Sequence, residues 1–298
     1  MKILLFGKNG QVGWELQRSL APLGELIALD ADSQELCGNF TDLDGLAQTI
    51  RAVAPDMIVN AAAHTAVDKA ESEPKLARTI NALAPKVLAQ EALHCNAWLV
   101  HYSTDYVFNG SGDQPWVESD TTAPLSVYGA TKLEGERLIQ QSGCRHLIFR
   151  TSRVYGARGD NFAKTMLRLS QERGSLKVIN DQIGAPTGAD LLADVTAHAI
   201  RAVQKHPELS GLYHLVAGGA TSWHEYACFV IDFAQRAGIT LKVAPDAVQA
   251  VATSAFPPPA KRPHNSCLNT AKLQNTFDLY LPPWQFGVAR MLTEILDK

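Results

Sequence analysis

Two residues of the sequence, Tyr128 and Lys132, have side-chain types and a spacing suited to proton transfer. They are four residues apart in the segment 127–141, which has a helical pattern, so both side chains lie on one face of a helix. A free tyrosine has a pKa of about 10, and a neighbouring ammonium group lowers that pKa because it favours the phenolate. The pair could therefore give a proton to an oxygen atom and recover it from solvent. The spacing is common on surface helices, so it needs support from other residues.

A hydroxyl group at the end of a predicted strand provides that support. The segment 97–102 is a predicted strand, and Thr104 follows its carboxyl end, where ligands bind in open α/β sheets. The Thr104 hydroxyl could donate a hydrogen bond to a substrate carbonyl oxygen as negative charge develops there. A turn or capping hydroxyl is the alternative. The order along the chain of a glycine turn, Thr104, Tyr128 and Lys132 indicates a catalytic site.

The glycine turn lies between the first predicted strand and the first predicted helix. Gly7, Gly10 and Gly13 follow the spacing Gly-x-x-Gly-x-x-Gly, a variant of the dinucleotide-binding pattern. Glycines let the backbone approach a pyrophosphate, and the helix N-terminus offers free N–H groups to it. Asp30 ends the second predicted strand, where an acid binds the adenosine ribose and favours NAD. A turn without a ligand and a solvated carboxylate are the alternatives.

Strand-length apolar runs alternate with helical segments in the first half of the chain and would position these residues. Predicted strands cover residues 2–6, 25–29, 56–59, 97–102 and 146–150, and predicted helices cover residues 11–20, 43–53, 73–94 and 127–141. Such repeats imply a parallel sheet with both faces covered, and right-handed crossovers make it doubly wound. The predicted fold class is therefore α/β, with a doubly wound parallel sheet and a cofactor-binding domain over residues 1–150.

The second half of the chain, residues 151–298, is expected to be mainly a smaller C-terminal lobe that binds the substrate. Some of its segments are expected to return to the first domain. Its predicted helices cover residues 161–173, 189–203, 223–237 and 284–296, and its predicted strands cover residues 176–179 and 211–215.

Composition and charge exclude several classes of protein. Of the 298 residues, 46% are hydrophobic and 19% charged, so a folded core is expected rather than disorder. The net charge of −3 leaves no basic field for nucleic acid, and no apolar stretch is long enough to span a membrane. The five cysteines are odd in number and far apart, which favours reduced thiols in the cytoplasm. We expect no signal peptide at the start.

Seven segments between residues 3 and 266 carry a resemblance to a known family: LLFGKNGQVGWELQ, NAAAHTAVDKAESEP, HYSTDYVFNG, PLSVYGATKLEGE, NFAKTMLRL, INDQIGAPTGA and RPHNS. On these motifs the chain resembles the extended short-chain dehydrogenase/reductases, and among them those that reduce sugar nucleotides. The resemblance implies a Rossmann-type fold. It also implies hydride transfer from NADPH or NADH to C4 of dTDP-4-dehydro-L-rhamnose, which gives dTDP-L-rhamnose for a bacterial surface polysaccharide such as the O-antigen of lipopolysaccharide. Because the family uses either cofactor, Asp30 does not imply strict use of NAD.

The resemblance also implies roles for individual residues. Tyr128 would donate the proton, Lys132 would lower its pKa and hold the nicotinamide ribose, and Thr104 would polarise the C4 carbonyl. The substrate contacts would be Thr104, Asp105, Arg153 and Arg262, the last of which could grip the diphosphate. The cofactor contacts would be Gly7, Gly10, Gln11, Val12, Gly13, Asp30, Asn39, Phe40, Ala61, Ala62, Ala63, His64, Thr65, Tyr102, Tyr128 and Lys132.

Two positions depart from the family pattern. Arg153 stands where the family has a tryptophan that packs on the substrate, and its planar guanidinium could instead pair with a phosphate or stack. Asp190 stands where a glutamate is expected. Some family members are homodimers with Mg²⁺ held at the interface, for which Glu15 and Asp190 would be the ligands. Solvated helix carboxylates are the alternative for these two acids.

Other functions stay open at this point, among them a reductase of the same family that acts on another sugar nucleotide. A sugar-nucleotide 4,6-dehydratase needs an Asp-Glu pair after the threonine to eliminate water, and here Asp105 is followed by Tyr106, which argues against dehydration. An epimerase that retains NAD⁺ tightly uses the same tyrosine and lysine and is less clearly excluded. A non-catalytic regulatory subunit of this fold also stays open, and the intact set of Thr104, Tyr128 and Lys132 counts against it.

Overall fold

The computed structural model describes residues 1–296 as an α/β fold; residues 297 and 298, which the predicted C-terminal lobe includes, lie outside the described residues. Its helices are α1 (Gln11–Leu20), α2 (Leu43–Val53), α3 (Val67–Ser72), α4 (Pro74–Arg78), α5 (Ala84–His94), α6 (Val127–Ser142), α7 (Phe162–Glu172), α8 (Ala189–Val203), α9 (Trp223–Arg236), α10 (Ala271–Phe277) and α11 (Trp284–Leu296). Its strands are β1 (Lys2–Phe6), β2 (Glu25–Leu29), β3 (Met57–Asn60), β4 (Trp98–Thr104), β5 (Arg145–Thr151), β6 (Val154–Tyr155), β7 (Leu176–Ile179), β8 (Ile183–Gly184), β9 (Thr187–Gly188), β10 (Gly211–His214), β11 (Thr221–Ser222), β12 (Val248–Val251) and β13 (Asn265–Ser266).

Six strands form one parallel sheet in the order β10-β5-β4-β3-β1-β2. From β1 the chain passes through α1 to β2 on one side, and then through α2 to β3 on the other side. The strand order therefore reverses between β1 and β3, which is where ligands bind in sheets of this kind. The predicted α/β class with a doubly wound parallel sheet is confirmed.

The sixth strand of this sheet comes from the second half of the chain. β10 pairs in parallel with β5, with Leu212 opposite Ile148 and Tyr213 opposite Phe149. Helix α8 packs against α1 on one face of the same sheet. Alternating side chains of β10 enter the two apolar layers, because Tyr213 packs with the α1 and α8 side and Leu212 with the α2 and α5 side.

A separate apolar cluster lies under the remaining C-terminal elements. It joins α7, α9 and α11 to the parallel pair β7 and β12. A small sheet of β11, β8 and β13 and a pair of β6 and β9 connect this part to the carboxyl ends of the large sheet. Within residues 1–296, no helix combines the length and the apolar character needed to cross a membrane.

The helix predicted over residues 73–94 is interrupted in the structure. Between α4 and α5, the segment Thr79–Leu83 is a π-helix, and Ala84 N–H donates to the carbonyl of Thr79. Pro85 has no N–H to give to the carbonyl of Asn81 four residues earlier, so the regular α-helical pattern cannot continue there. This π-helix lies directly against α6, because a Cβ added at Gly135 of α6 would be 2.2 Å from the Asn81 carbonyl oxygen.

Candidate active site

A cavity of about 490 Å³ opens at the carboxyl ends of β1, β3, β4 and β5. It brings together residues that are far apart in the sequence. Those predicted to act there and found in its lining are Gly10, Gln11, Val12, Ala61, Ala63, Thr65, Tyr102, Thr104, Asp105, Tyr128, Lys132 and Arg153.

The glycine turn forms one end of the cavity. Gly7 has a φ of +85°, and a Cβ added to it would be 2.7 Å from the backbone nitrogen of Ala62. A Cβ on Gly13 would be 1.9 Å from the carbonyl oxygen of Gly7. Gly10 is the N-cap of α1 and, among the described residues, no side chain caps this helix. The first N–H groups of α1 are therefore available to an anion such as a pyrophosphate.

Asp30 lies beside this turn. Its Oδ2 accepts a hydrogen bond of 3.0 Å from the backbone N–H of Asn9, and its Oδ1 accepts one of 2.7 Å from Ala31. The carboxylate therefore fixes the turn to the end of β2. Its role on a ribose stays a prediction, because the residue is not part of the cavity lining.

The predicted catalytic hydroxyls lie together at the start of α6. The Ser126 side chain caps this helix by accepting a hydrogen bond of 3.2 Å from Gly129 N–H. The first turn of α6 presents the Tyr128 phenol, which is hydrogen-bonded to the Thr104 hydroxyl. Thr104 in turn donates to Asp105 Oδ1 at 3.1 Å. The three side chains therefore form one chain of hydrogen bonds along the cavity wall.

The predicted effect of Lys132 on Tyr128 is not observed in this structure. Burial raises the pKa of Tyr128 above that of a free tyrosine, although the hydrogen bond with Thr104 opposes the shift. Lys132 instead donates a hydrogen bond of 2.6 Å to the carbonyl of Tyr102. Removal of the phenol from water is the largest cause of the raised pKa, and the lowering of this pKa by the ammonium of Lys132 stays a prediction. Tyr128 is therefore held as a neutral phenol at neutral pH.

Lys132 is almost fully buried, with 2% of its surface exposed. Burial lowers its pKa to about 8, against an opposing attraction from Glu136. Glu136 itself is buried in an ion pair with Arg150 of β5, with a Glu136 Oε2 to Arg150 Nη2 distance of 2.7 Å, and it also accepts from Ser103. This pair fixes α6 to the sheet and so fixes the position of Lys132.

Asp105 is a buried carboxylate in the cavity wall. Burial raises its pKa to about 6, although the nearby Ser266 hydroxyl, the hydrogen bond from Thr104 and the charge of Arg153 oppose this shift. Its Oδ2 is buried and has no hydrogen-bond partner among the described residues. A buried acceptor without a partner is costly, so this oxygen is available to a hydroxyl group of a ligand.

Arg153 also lines the cavity. Its guanidinium donates to the carbonyl oxygens of Thr221 at 2.8 Å and Gln182 at 2.6 Å, and it stacks over the Trp223 ring at 4.2 Å from the centroid. Burial lowers its pKa to about 10, so it stays charged at neutral pH. The predicted stacking of the guanidinium is present, and its partner in the chain is Trp223. The backbone of Arg153 has a φ of +49°, which an arginine rarely adopts.

Arg262 and two predicted cofactor residues have protein partners instead of facing the cavity. Arg262 donates to Asp68 Oδ2 at 2.7 Å and is not part of the cavity lining, so its predicted grip on a diphosphate would require this ion pair to open. Phe40 is buried edge-to-face against Phe6, with 5.5 Å between the ring centroids. Asn39 Oδ1 accepts hydrogen bonds from Thr41.

The loop after β3 is held in place by hydrogen bonds to Asn81 of the π-helix. Asn81 accepts a hydrogen bond from His64 N–H at 2.9 Å, donates to the His64 carbonyl at 3.1 Å, and donates to Thr131 of α6 at 3.2 Å. The imidazole of His64 lies near Glu73, with 3.6 Å between Nε2 and Oε2. His64 therefore contributes to this loop mainly through its backbone.

The two acids predicted as magnesium ligands each have an arginine partner. Glu15 pairs with Arg18 at 3.3 Å, and Asp190 pairs with Arg290. Both carboxylates line one small pocket, but residues 1–296 contain no group of three or more histidine, cysteine or acidic side chains that could hold a metal ion. The donors of a single chain therefore do not fit Mg²⁺, which requires about six oxygen ligands.

Several cavity residues were missed by the sequence reasoning. Gln182, Trp223 and Ser266 come from three separate segments of the second half, and the strands that bring them together, β8, β11 and β13, are each two residues long. Such short strands have no recognisable periodicity. The motifs INDQIGAPTGA and RPHNS did include two of them, so the resemblance was the only signal available.

Comparison with known proteins places the chain in a family. The RmlD substrate binding domain matches residues 1–296. The dTDP-4-dehydrorhamnose reductase of Salmonella typhimurium strain LT2 is 63% identical over 99% of this chain and 98% of that protein. The protein of the same name from Escherichia coli K12 is 61% identical over the same shares.

Solved structures agree with this placement. The crystal structure of dTDP-4-dehydrorhamnose reductase from Bacillus anthracis in complex with NADP has a TM-score of 0.87 and 34% identity, and it covers 99% of this chain and 100% of that chain. A Clostridium acetobutylicum structure of the same name has a TM-score of 0.87 and 35% identity, with full coverage of both chains. With its doubly wound sheet and its Thr104, Tyr128 and Lys132 gathered at one cavity, the chain belongs to the RmlD family of dTDP-4-dehydrorhamnose reductases.

Proposed function

We propose that this protein is an NAD(P)H-dependent oxidoreductase that reduces the C4 keto group of dTDP-4-dehydro-β-L-rhamnose to dTDP-L-rhamnose, the last step of dTDP-rhamnose biosynthesis. The observation that carries the proposal is the hydrogen-bonded chain of Tyr128, Thr104 and Asp105 in the wall of a cavity whose other end is an uncapped helix N-terminus. The family of close relatives supports the choice of sugar.

The residues at the glycine turn fit a dinucleotide. Gly7 and Gly13 leave no room for a Cβ, whereas Gly10 borders open cavity space and the first turn of α1 lacks a side-chain cap. We propose that the pyrophosphate binds there and that Asp30 faces the adenosine ribose. The nicotinamide, when bound, supplies the hydride.

Tyr128 acts as the proton donor in this proposal. Its raised pKa keeps the phenol protonated, which suits an acid that gives its proton to an oxygen as that oxygen becomes an alkoxide. Thr104 donates to the same oxygen once its hydrogen bond to Asp105 is exchanged for one to the substrate. Lys132 holds the nicotinamide ribose from the next turn of α6.

The sugar is held by residues from both halves of the chain. Asp105 Oδ2, which is buried without a partner among the described residues, accepts a hydrogen bond from a sugar hydroxyl. Arg153 and Trp223 form a stacked pair that also lines the cavity and borders the substrate. We therefore propose residues 1–150 as the cofactor-binding part and residues 151–298 as mainly the substrate-binding part, with β10 and α8 belonging to the first by position.

The test is turnover of purified protein with dTDP-4-dehydro-L-rhamnose and either NADPH or NADH, with the sugar product identified by NMR. In Tyr128→Phe we expect kcat to fall about 100- to 10,000-fold, which is the usual contribution of a general acid, while cofactor still binds. Tyr106→Phe is the matched control, because this ring is 5.6 Å from that of Tyr128 but its hydroxyl bonds Arg262. Full activity of Tyr128→Phe would remove the tyrosine from the mechanism.

The proposal also covers the cell compartment and the oligomeric state of the protein. The five cysteines are free thiols in the structure, which supports a reducing compartment, and we propose the cytoplasm. We also propose a homodimer, which light scattering with and without Mg²⁺ would test. Because Glu15 and Asp190 are paired with arginines, no step of the proposed reaction uses a metal ion.

A further inference from the structure

A buried polar pair, Asn60 and His101, lies behind Lys132 and has no role in the mechanism above. The two residues are opposite each other on β3 and β4, and each is 1% exposed. Asn60 Nδ2 is 3.0 Å from His101 Nδ1, and His101 Nε2 is 3.3 Å from Lys132 Nζ. The imidazole therefore connects the sheet to the lysine.

The orientation of Asn60 determines which histidine nitrogen carries the proton. Asn60 Oδ1 accepts a hydrogen bond of 3.0 Å from the backbone N–H of Ala62, so its NH₂ group must face His101. An amide NH₂ only donates, and His101 Nδ1 must therefore accept. A neutral imidazole then carries its hydrogen on Nε2. Reversal of the amide would place two donors together at Ala62, at a cost of about 1–3 kcal/mol.

The Nε2–H group of His101 points at Lys132. An ammonium group has no lone pair to accept this hydrogen, whereas a neutral amine has one. Lys132 still donates one of its own hydrogens to the Tyr102 carbonyl, at 2.6 Å. Every hydrogen bond of the cluster is satisfied only when Nζ is an acceptor as well as a donor.

We propose that Asn60 and His101 are positioning residues that hold Lys132 in a state able to accept as well as donate a proton. The charge environment agrees, because burial lowers the pKa of Lys132 to about 8. Burial and then the nearby Lys132 hold the pKa of His101 well below its ordinary value, so the imidazole stays neutral. The titratable and charged groups around the lysine are His101 on β4, Tyr128 and Glu136 on α6, and Arg150 on β5 behind Glu136.

The consequence for the reaction rests on the proposed reductase function. After Tyr128 gives its proton to the C4 oxygen, the phenolate must regain one. Lys132 in its charged form can release a proton to the Tyr128 phenolate, one helical turn away, and become the neutral amine that His101 Nε2–H then stabilises. A proton from solvent restores the charged form. The cluster thus makes the lysine easier to deprotonate near neutral pH than an ordinary lysine.

The direct test is the tautomer of His101 in the protein without substrate. Long-range ¹⁵N–¹H NMR of histidine-labelled protein distinguishes the two tautomers, and loss of one signal set in His101→Gln assigns it. We expect a neutral imidazole with its hydrogen on Nε2 from pH 6 to 9. A hydrogen on Nδ1, or an imidazolium at pH 7, would overturn the inference. Because this measurement needs no turnover, it is independent of the proposed reaction.

Two variants of Asn60 test the link to the lysine. Asn60→Asp places a carboxylate opposite Nδ1, so the hydrogen should move to Nδ1 and the pKa of Lys132, measured by lysine-detected NMR, should rise by about one unit or more. Asn60→Leu removes the same donor without a charge and should raise this pKa by a smaller amount. A rise in Asn60→Asp alone would assign the effect to the new charge and contradict the inference. A Lys132 pKa that was unchanged in both variants would also contradict the inference.

Discussion

The glycine turn gives two substitutions with opposite expected effects, although the residues are three positions apart. A Cβ on Gly13 would be 1.9 Å from the Gly7 carbonyl oxygen and 3.1 Å from the Lys8 Cα, so the turn must open to admit it. A Cβ on Gly10 would meet only the same oxygen, at an ordinary 3.5 Å. Gly10 also has extended backbone angles that alanine adopts freely, and it borders the cavity.

The expected changes in stability and in cofactor affinity follow from these distances. For Gly13→Ala, overpacking costs about 3 kcal/mol, and the better helix propensity of alanine offsets about 1 kcal/mol. The net loss of about 2 kcal/mol lowers the Tm by roughly 4–8 °C for a chain of this size. For Gly10→Ala, the Tm should change by only about 1–2 °C. Loss of one hydrogen bond to a charged phosphate costs about 1.5–3 kcal/mol, so the Kd for NADPH should rise about 10- to 150-fold.

Calorimetry would measure the Tm of each variant, and fluorescence titration would measure its Kd for NADPH. Together the two measurements separate the effect on stability from the effect on cofactor binding. The expected pattern is a destabilised Gly13→Ala protein and a stable Gly10→Ala protein that binds cofactor poorly. If Gly10→Ala bound NADPH as tightly as the wild type, the pyrophosphate could not lie against this turn. A Gly13→Ala protein with wild-type Tm would show that the close approach of the backbone is not needed.

Three further substitutions test other parts of the site. Glu136→Gln leaves the Arg150 charge buried without its partner and should reduce the free energy of unfolding by about 3–5 kcal/mol, measured by urea unfolding. Arg153→Lys cannot make both carbonyl hydrogen bonds or stack on Trp223, so the KM for the sugar nucleotide should rise about tenfold while the Kd for cofactor stays unchanged; an unaltered KM would exclude Arg153 from the substrate wall. Asp105→Asn should be more stable than the wild type above pH 6, because the folded-state pKa of Asp105 is raised to about 6 and ionisation of the buried carboxylate destabilises the fold as the pH rises from about 4 to 6. The difference in the free energy of unfolding between Asp105→Asn and the wild type should reach about 3 kcal/mol above pH 6 and disappear below pH 4. A difference that did not change with pH would contradict the assigned pKa.

The sequence was sufficient for the elements with strong periodicity. The predicted bounds of the helices over 11–20, 43–53 and 189–203 and of the last helix agree with the structure, as does the strand at 176–179. These segments have an apolar face of regular spacing, and tertiary packing uses that same face. The carboxyl end of β4 and the start of α6 were also located well enough to bring Thr104 and Tyr128 together.

What the sequence could not supply was mostly pairing over long distances. Nothing in residues 211–214 indicates that this strand pairs with β5, because strand pairing is decided by packing of the whole sheet. The ion pair of Arg262 with Asp68 joins residues 194 positions apart. The raised pKa of Tyr128 depends on burial, which one helical turn of sequence does not reveal.

In the proposed reaction, hydride is transferred in this cavity to C4 of a dTDP-linked keto sugar. The most direct measurement is turnover of dTDP-4-dehydro-L-rhamnose with NADPH that carries deuterium at both C4 positions of the nicotinamide, followed by NMR of the product. We expect dTDP-L-rhamnose with one deuterium, located at C4 of the sugar. Product without deuterium at C4, or no turnover while cofactor is bound, would contradict the proposed reaction.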